Sequence, residues 1–278
     1  MREAAFTQKI FYRFFFPAVA ASVCLGLANL ADALCVGMML GESALAAISL
    51  VSPIYMVFNV LHLGIAIGGS VTFAQLMGEG RVKQGVEVFR QMLVLALAVG
   101  IGLAVLGEIF LEPLLRLLGT DPSQGDVYTM TRDYAVRLIA AAPLFFLNML
   151  FYYFIRCDDG EKRASVGLAV SNLLDVGLSF VFVLGFGMGV NGAVYSTIAG
   201  VAVANLIYLP HFLKKSNILS LRLTRPEPGT MFQCYRTGFS SSSQYIWQFL
   251  FFLIINNLLI SRHGESGLAV FNVVLNIS

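Results

Sequence analysis

Two aspartates stand where acids are expensive. Of the sixteen Asp and Glu residues, nearly all fall in loops or at the ends of apolar stretches; only Asp32 and Asp175 lie well inside such stretches. A carboxylate near the centre of a bilayer costs about 2.5–3.5 kcal/mol on insertion scales, so it is expected to face a protein interior and to carry function. Asn29 sits three residues before Asp32, on the same helical face. Asn172, Asp175 and Ser179 follow the i, i+3, i+7 spacing that also places them on one face. Burial disfavours the charged form of a carboxylate. Such a group sheds that cost by taking a proton, or by holding a hard cation among oxygen ligands. The residue types leave H+ and Na+ equally open. Their depths along helices that run the same way put the two acids within about two turns of each other, so one joint cation site is expected.

The other candidates are weaker. His62 lies inside an apolar stretch; a proton-relay role is open, but a hydrogen-bonded core histidine is the plainer expectation. Glu108 and Glu112 are one turn apart, as a hydrolytic acid pair can be, yet they sit at a stretch end before Pro113 and read as a solvated boundary. Cysteines 24, 35, 157 and 234 make no CxxC pair, so free thiols are expected rather than a disulfide framework or zinc site. No Gly-rich phosphate loop, nucleophile elbow or metal-ligand cluster occurs. The chain is expected to be no enzyme and to need no cofactor beyond a coupling ion.

The elements that must position these acids follow from composition. Hydrophobic residues make up 58% of the chain and charged residues 12%, about half the charge of a soluble domain. This excludes a soluble enzyme, and a net charge of +2 without a basic, aromatic-laced patch argues against a nucleic-acid partner. A span needs about 20 apolar residues. Seven are read at about 14–40, 44–76, 89–111, 134–155, 164–186, 192–212 and 239–261, with an eighth beginning near 267. The second is long and holds Pro53, but it has no charge or loop at its middle and is taken as one crossing. Glycines 64, 68, 69, 100, 102 and 107 are expected where helices approach closely. Loops on one face hold 14 of the 18 Lys and Arg residues. By the positive-inside rule that face and the N-terminus are cytoplasmic, in a multi-pass protein of the cell (inner or plasma) membrane.

The chain also repeats itself. "GESALAAISLVSPI" from Gly41 and "GESGLAVFNVVLNI" from Gly264 share seven of fourteen positions, 223 residues apart. The register continues upstream, where Tyr12-Arg13 falls on Tyr235-Arg236 and Phe16 on Phe239. The first span therefore aligns with the seventh and the second with the eighth. Six spans separate the copies, so both have the same orientation. Parallel repeats of this kind build transporters with the substrate path between two lobes. The expected architecture is all-α and integral to the membrane. Residues 1–212 form the six-helix N-terminal lobe of a two-lobed (6+6) fold, 213–236 a basic cytoplasmic linker, and 237–278 the start of a second lobe whose remainder a full-length protein would supply. Asp32 corresponds to Ile255 in the second copy, so its task is expected to be asymmetric.

Five phrases then point to a family: "NLADALCVGMMLGESALAA", "AQLMGEGRVKQG", "LLRLLGTDP", "FIRCDDGEKRAS" and "GFGMGVNGAVYST". In that order and spacing they resemble the multidrug and toxic compound extrusion (MATE) transporters. The resemblance implies two facing six-helix bundles that exchange protons or sodium ions for organic, often cationic, compounds. It implies that Asp32 and Pro17 match the family's first-helix Asp and Pro, and Thr197 its sixth-helix Thr. The family's Asn-x-x-x-Asp in the fifth helix falls on Asp175 and Ser179, so here the carboxylate has moved back one turn and a hydroxyl replaces it. The expected function is a cation-coupled antiporter for multidrug efflux, with small organic cations or amphipathic drugs and the lipid bilayer as partners. A lipid-linked precursor flippase of the same superfamily and a non-transporting fragment are the alternatives.

Overall fold

The computed structural model describes residues 41–214 and 217–277, and within these the only secondary structure is helical, without strands. The first span, with Pro17, Asn29 and Asp32, lies outside the described residues.

Helix α1 runs Glu42–Gly78 without a break across Pro53. At about 1.5 Å per residue it is roughly 55 Å long, well beyond the ~30 Å hydrocarbon core. It is one crossing, as its uninterrupted apolar sequence requires. Then follow α2 (Val82–Ile109), a short α3 (Leu111–Leu117), a single 3-10 turn at Pro122–Gln124, α4 (Asp126–Ala140) and α5 (Ala142–Cys157). α6 (Glu161–Phe180) continues as a π-helical turn over Val181–Gly185, and α7 spans Val190–Leu213. α8 (Pro228–Ser242) and α9 (Gln244–Ile277, bent at Gly264) close the described chain.

Five described helices are long and apolar enough to cross a membrane, and the α4–α5 pair makes a sixth crossing bent by 51°. These correspond to the second to seventh spans. Two differ in detail from the sequence reading. The fourth was expected as one run, 134–155; it starts at Asp126 and bends at Ala141 because Pro143 begins α5 within its first two positions, where a ring without an N–H fits. The seventh was expected at 239–261; the chain is helical from Pro228, breaks at Ser243 and resumes at Gln244. Pro228 again sits at a helix start.

A seam of aromatic rings fills the space between α1, α2 and α5. Phe58 meets Phe146 at 6.0 Å between centroids, Phe73 and Phe89 meet Phe154 at 5.6 and 5.0 Å, and Phe89 stacks on Phe212 of α7 at 5.6 Å. Such pairs add about 0.5–1.5 kcal/mol each beyond their buried area. Glycines set the closest crossing. A Cβ on Gly68 would strike the Cys234 carbonyl, and one on Gly238 would strike the Gly64 carbonyl, so α1 and α8 touch backbone to backbone. Gly69, Gly100 and Gly107 also face packed atoms; Gly102 faces open space and has no such role.

The repeat is visible in the backbone. Gly41 (φ 80, ψ −170) and Gly264 (φ 64, ψ −153) hold the same conformation, each just ahead of its copy of the helix. Both need a positive φ, which a residue without Cβ adopts freely. The two copies then meet: Asn256 Nδ2 donates to the Ser49 carbonyl at 2.8 Å, Ser49 Oγ to the Leu268 carbonyl at 3.4 Å, and Ser266 Oγ to Glu42 Oε2 at 2.5 Å.

Residues 217–227 form a strap held against α2. Arg90 Nη2 donates to Ser220 Oγ at 3.1 Å, Gln91 Nε2 donates to the Arg225 carbonyl at 2.9 Å, and the Glu227 amide returns to Gln91 Oε1 at 2.8 Å. Leu219 is buried to 1% exposure.

Candidate functional site

The site stands on the α6–α7 hairpin. Along α7, Gly192, Ser196, Gly200 and Ala204 recur every four residues and all are buried. A ridge of small residues at this spacing lets a neighbouring helix approach closely. It does so here, since a Cβ on Gly200 would lie 2.6 Å from the Ser171 carbonyl of α6. Both ends of α7 are pinned. At one end Arg137 Nε donates to Tyr195 Oη at 2.9 Å and Asn191 Nδ2 to Asp133 Oδ2 at 3.5 Å. At the end carrying the basic loops, Tyr208 Oη donates to the Ala164 carbonyl at 3.2 Å and His211 Nε2 meets Asp158 Oδ2 at 2.9 Å.

Asp175 lies between these pins, fourteen residues from the first residue of α6, or roughly 21 Å along the axis. Its Oδ1 accepts from Ser196 Oγ at 2.9 Å and from Thr197 Oγ1 at 2.9 Å. Ser179 Oγ lies 2.7 Å from Ser196 Oγ, and both serines are fully buried. The same two α7 hydroxyls also reach the Ala193 carbonyl, at 2.7 Å from Ser196 and 3.2 Å from Thr197. Each hydroxyl has one proton and two lone pairs. With the proton toward Asp175 it stabilises the carboxylate; with the proton toward Ala193 it presents a lone pair instead.

Three residues singled out from the sequence, Asp175, Ser179 and Thr197, therefore meet in one cluster. Asn172 is half-buried, within α6. Asp32, Asn29 and Pro17 lie outside them, and with them the expected Asp32–Asp175 juxtaposition. The residue that the sequence reading missed is Ser196, which touches both Asp175 and Ser179. Its signal was present, as the middle member of the Gly192-Ser196-Gly200 ridge.

The remaining candidates resolve as follows. His62 is buried, with its ring edge-on to Phe146 at 5.6 Å, and its Nδ1 has no hydrogen-bond partner among the described residues. Glu112 is exposed, accepts from Tyr128 Oη at 2.8 Å and faces Arg132 at 3.5 Å, and Glu108 is exposed, as a solvated boundary requires. Cys157 and Cys234 are free thiols. No cluster of three metal-ligating side chains occurs among the described residues.

Comparisons with known proteins bear on the family and the fold. The probable multidrug resistance protein YoeA of Bacillus subtilis (strain 168) is 26% identical over 274 residues, covering 95% of this chain and 58% of the relative. The multidrug export protein MepA of Staphylococcus saprophyticus is 25% identical over 237 residues, covering 84% of this chain and 52% of the relative. The chain thus spans just over half the length of the curated relatives it matches. Among solved structures, the inward-facing conformation of a multidrug resistance MATE family transporter of the MOP superfamily superposes with a TM-score of 0.83 at 26% identity, over 91% of this chain and 57% of that one. Residues 17–181, more than half of the sequence and including Asp32 and Asp175, match the MatE family, and the chain belongs to it.

Proposed function

We propose that this protein takes part in cation-coupled export of organic compounds, and that the α6–α7 cluster binds the coupling cation. The observation that carries the reading is Asp175, a carboxylate deep in an apolar helix whose Oδ1 meets two hydroxyls from the neighbouring helix. A proton or Na+ arriving there neutralises the acid. The Ser196 and Thr197 hydroxyls then turn toward the Ala193 carbonyl and offer lone pairs to the ion, with no movement of the backbone. Hard cations favour such oxygen sets. Asp32 of the first span is the proposed second acid. A cationic substrate would compete for the same negative charge, and competition at one site suffices for exchange.

The names of the relatives, multidrug resistance and multidrug export proteins, support organic compounds as the cargo. The test is efflux of a fluorescent organic cation from membrane vesicles containing the protein, driven by an imposed H+ or Na+ gradient. Asp175→Asn keeps an oxygen where Ser196 and Thr197 donate but removes the charge. It should lower gradient-driven efflux about 5- to 150-fold, the usual range of a coupling free energy. Gradient-dependent efflux at the wild-type rate in Asp175→Asn would assign the cluster a purely structural role.

A further inference from the structure

A groove of about 550 Å³ opens on the flank of the lobe between α2, α5, α7 and the strap. Leu93 and Leu97 form one wall, Leu144 another and Leu206 the third, with Leu221 and Leu223 of the strap closing the basic end. No residue of α8 or α9 lines it, and Leu206 and Leu209 at its rim are exposed apolar side chains of a crossing helix. The one polar lining residue, Asn205, is turned inward: its Nδ2 donates to the Leu144 carbonyl at 3.1 Å and its Oδ1 accepts from Asn148 at 3.3 Å. What remains is a hydrocarbon slot in a wall that faces the bilayer.

Apolar walls alone select nothing there, because lipid tails are as apolar as leucine. The mouth is different. Arg90, Leu93 and Leu97 share one face of α2 at i, i+3 and i+7, so Arg90 lies about one turn beyond the slot's leucines, toward the basic end. Arg90 is held by Ser220 at 3.1 Å and faces Glu87 at 3.6 Å, yet its Nε is buried with no acceptor among the described residues. Arg222, between the two strap leucines, and Arg225 are exposed beside it. Two other acids near this edge are engaged elsewhere: Glu227 accepts from Thr230 at 2.9 Å and Asp158 meets His211 at 2.9 Å. Basic pockets between helices at a membrane surface bind anionic headgroups.

We infer that this groove is a binding site for an anionic phospholipid, its acyl chain in the slot and its phosphate on Arg90 and Arg222. The site is independent of the transport reading. Purified, delipidated protein in detergent is offered phosphatidylglycerol or phosphatidylcholine with identical acyl chains, and bound lipid is counted by native mass spectrometry. Phosphatidylglycerol should be retained about 30-fold better, since two arginines at such a surface together contribute about 2 kcal/mol. Arg90→Gln/Arg222→Gln should abolish the preference. Leu206→Trp, at a side chain 63% exposed, fills the slot without touching the core and should lower retention of both lipids. Arg132→Gln, at the opposite end, should change nothing, and unchanged melting temperatures certify the fold of each variant. Equal retention of the two lipids, a preference that survives the double arginine variant, or undiminished binding to Leu206→Trp would each overturn the site. Displacement of the lipid by glycerophosphate at equal concentration would do so too, by showing that the arginines take any phosphate.

Discussion

Asp158 and Asp175 both meet side chains of α7, and α7 answers them differently. Asp158, just before α6, meets an imidazole: His211 Nε2 is 2.9 Å from its Oδ2, and both side chains are at most 7% exposed. The Leu219 amide of the strap donates to the same oxygen at 3.5 Å. Asp175, four turns further on, meets the hydroxyls of Ser196 and Thr197. Histidine is a bulky partner that can carry a full charge; it closes the basic end of the hairpin, and even a Cβ on Gly160 would lie 2.8 Å from its ring. Hydroxyls are small, neutral and rotatable. The same acid is a fastening in one place and a candidate site in the other, and the difference lies in whether the partner fixes the charge or adapts to it.

Four experiments break or sharpen this contrast. The largest effect on stability belongs to the fastening. His211→Ala removes one partner of a buried pair and should cost about 3–5 kcal/mol, read as a lower melting temperature in detergent, whereas Asp175→Asn should leave melting nearly unchanged. Equal losses in the two variants would erase the distinction. Next, Gly200→Val puts a branched side chain against the Ser171 carbonyl and should cost about 1–3 kcal/mol; it should disturb transport as well as stability, because the α6–α7 spacing sets the Asp175–Ser196 distance. Smaller again, Ser196→Ala removes one hydroxyl from the cluster and should cost about 1 kcal/mol, seen as a weaker dependence of efflux on the imposed ion gradient; Thr197→Val should act in the same direction. An unaltered ion dependence in the double variant would detach the hydroxyls from coupling.

The smallest effect lies outside the membrane core. Asp121 caps the 3-10 turn before α4, accepting from the hydroxyl and the amide of Ser123, and these two hydrogen bonds hold its carboxyl below the usual carboxylate range. The contribution is therefore present above the ordinary carboxylate pKa and is lost as pH falls through the lowered one. Asp121→Ala should flatten the acid side of the stability profile only slightly, since the group is fully exposed. A large loss of stability at neutral pH would show that this turn matters more than its exposure implies.

Much of the architecture was legible in the chain because a membrane leaves few choices. Backbone groups in hydrocarbon must be satisfied internally, so long apolar runs become helices. Six of the seven spans lie among the described residues, and each has its helix or bent pair. The kink at Ala141 and the early start of α8 were less legible; Pro143 and Pro228 marked both places, but hydropathy averages over a window and blurs an edge. The hold of the 217–227 segment on α2 was not legible, because it depends on Gln91 and Arg90, more than a hundred residues away.

The sequence by itself determined that the protein is helical and membrane-embedded, that its opening is restated at Gly264, and that Asp175 is an acid out of place. Those are properties of single residues against their solvent and of spacing along one helix. Only the tertiary structure decided what Asp175 meets. Ser196 is one serine among many until the ridge Gly192-Ser196-Gly200 lets α7 settle against α6 and brings its hydroxyl within 2.9 Å of the carboxylate. The physical reason is range: a hydrogen bond acts over about 3 Å, and no periodicity within one helix specifies which atom of another helix will arrive at that distance.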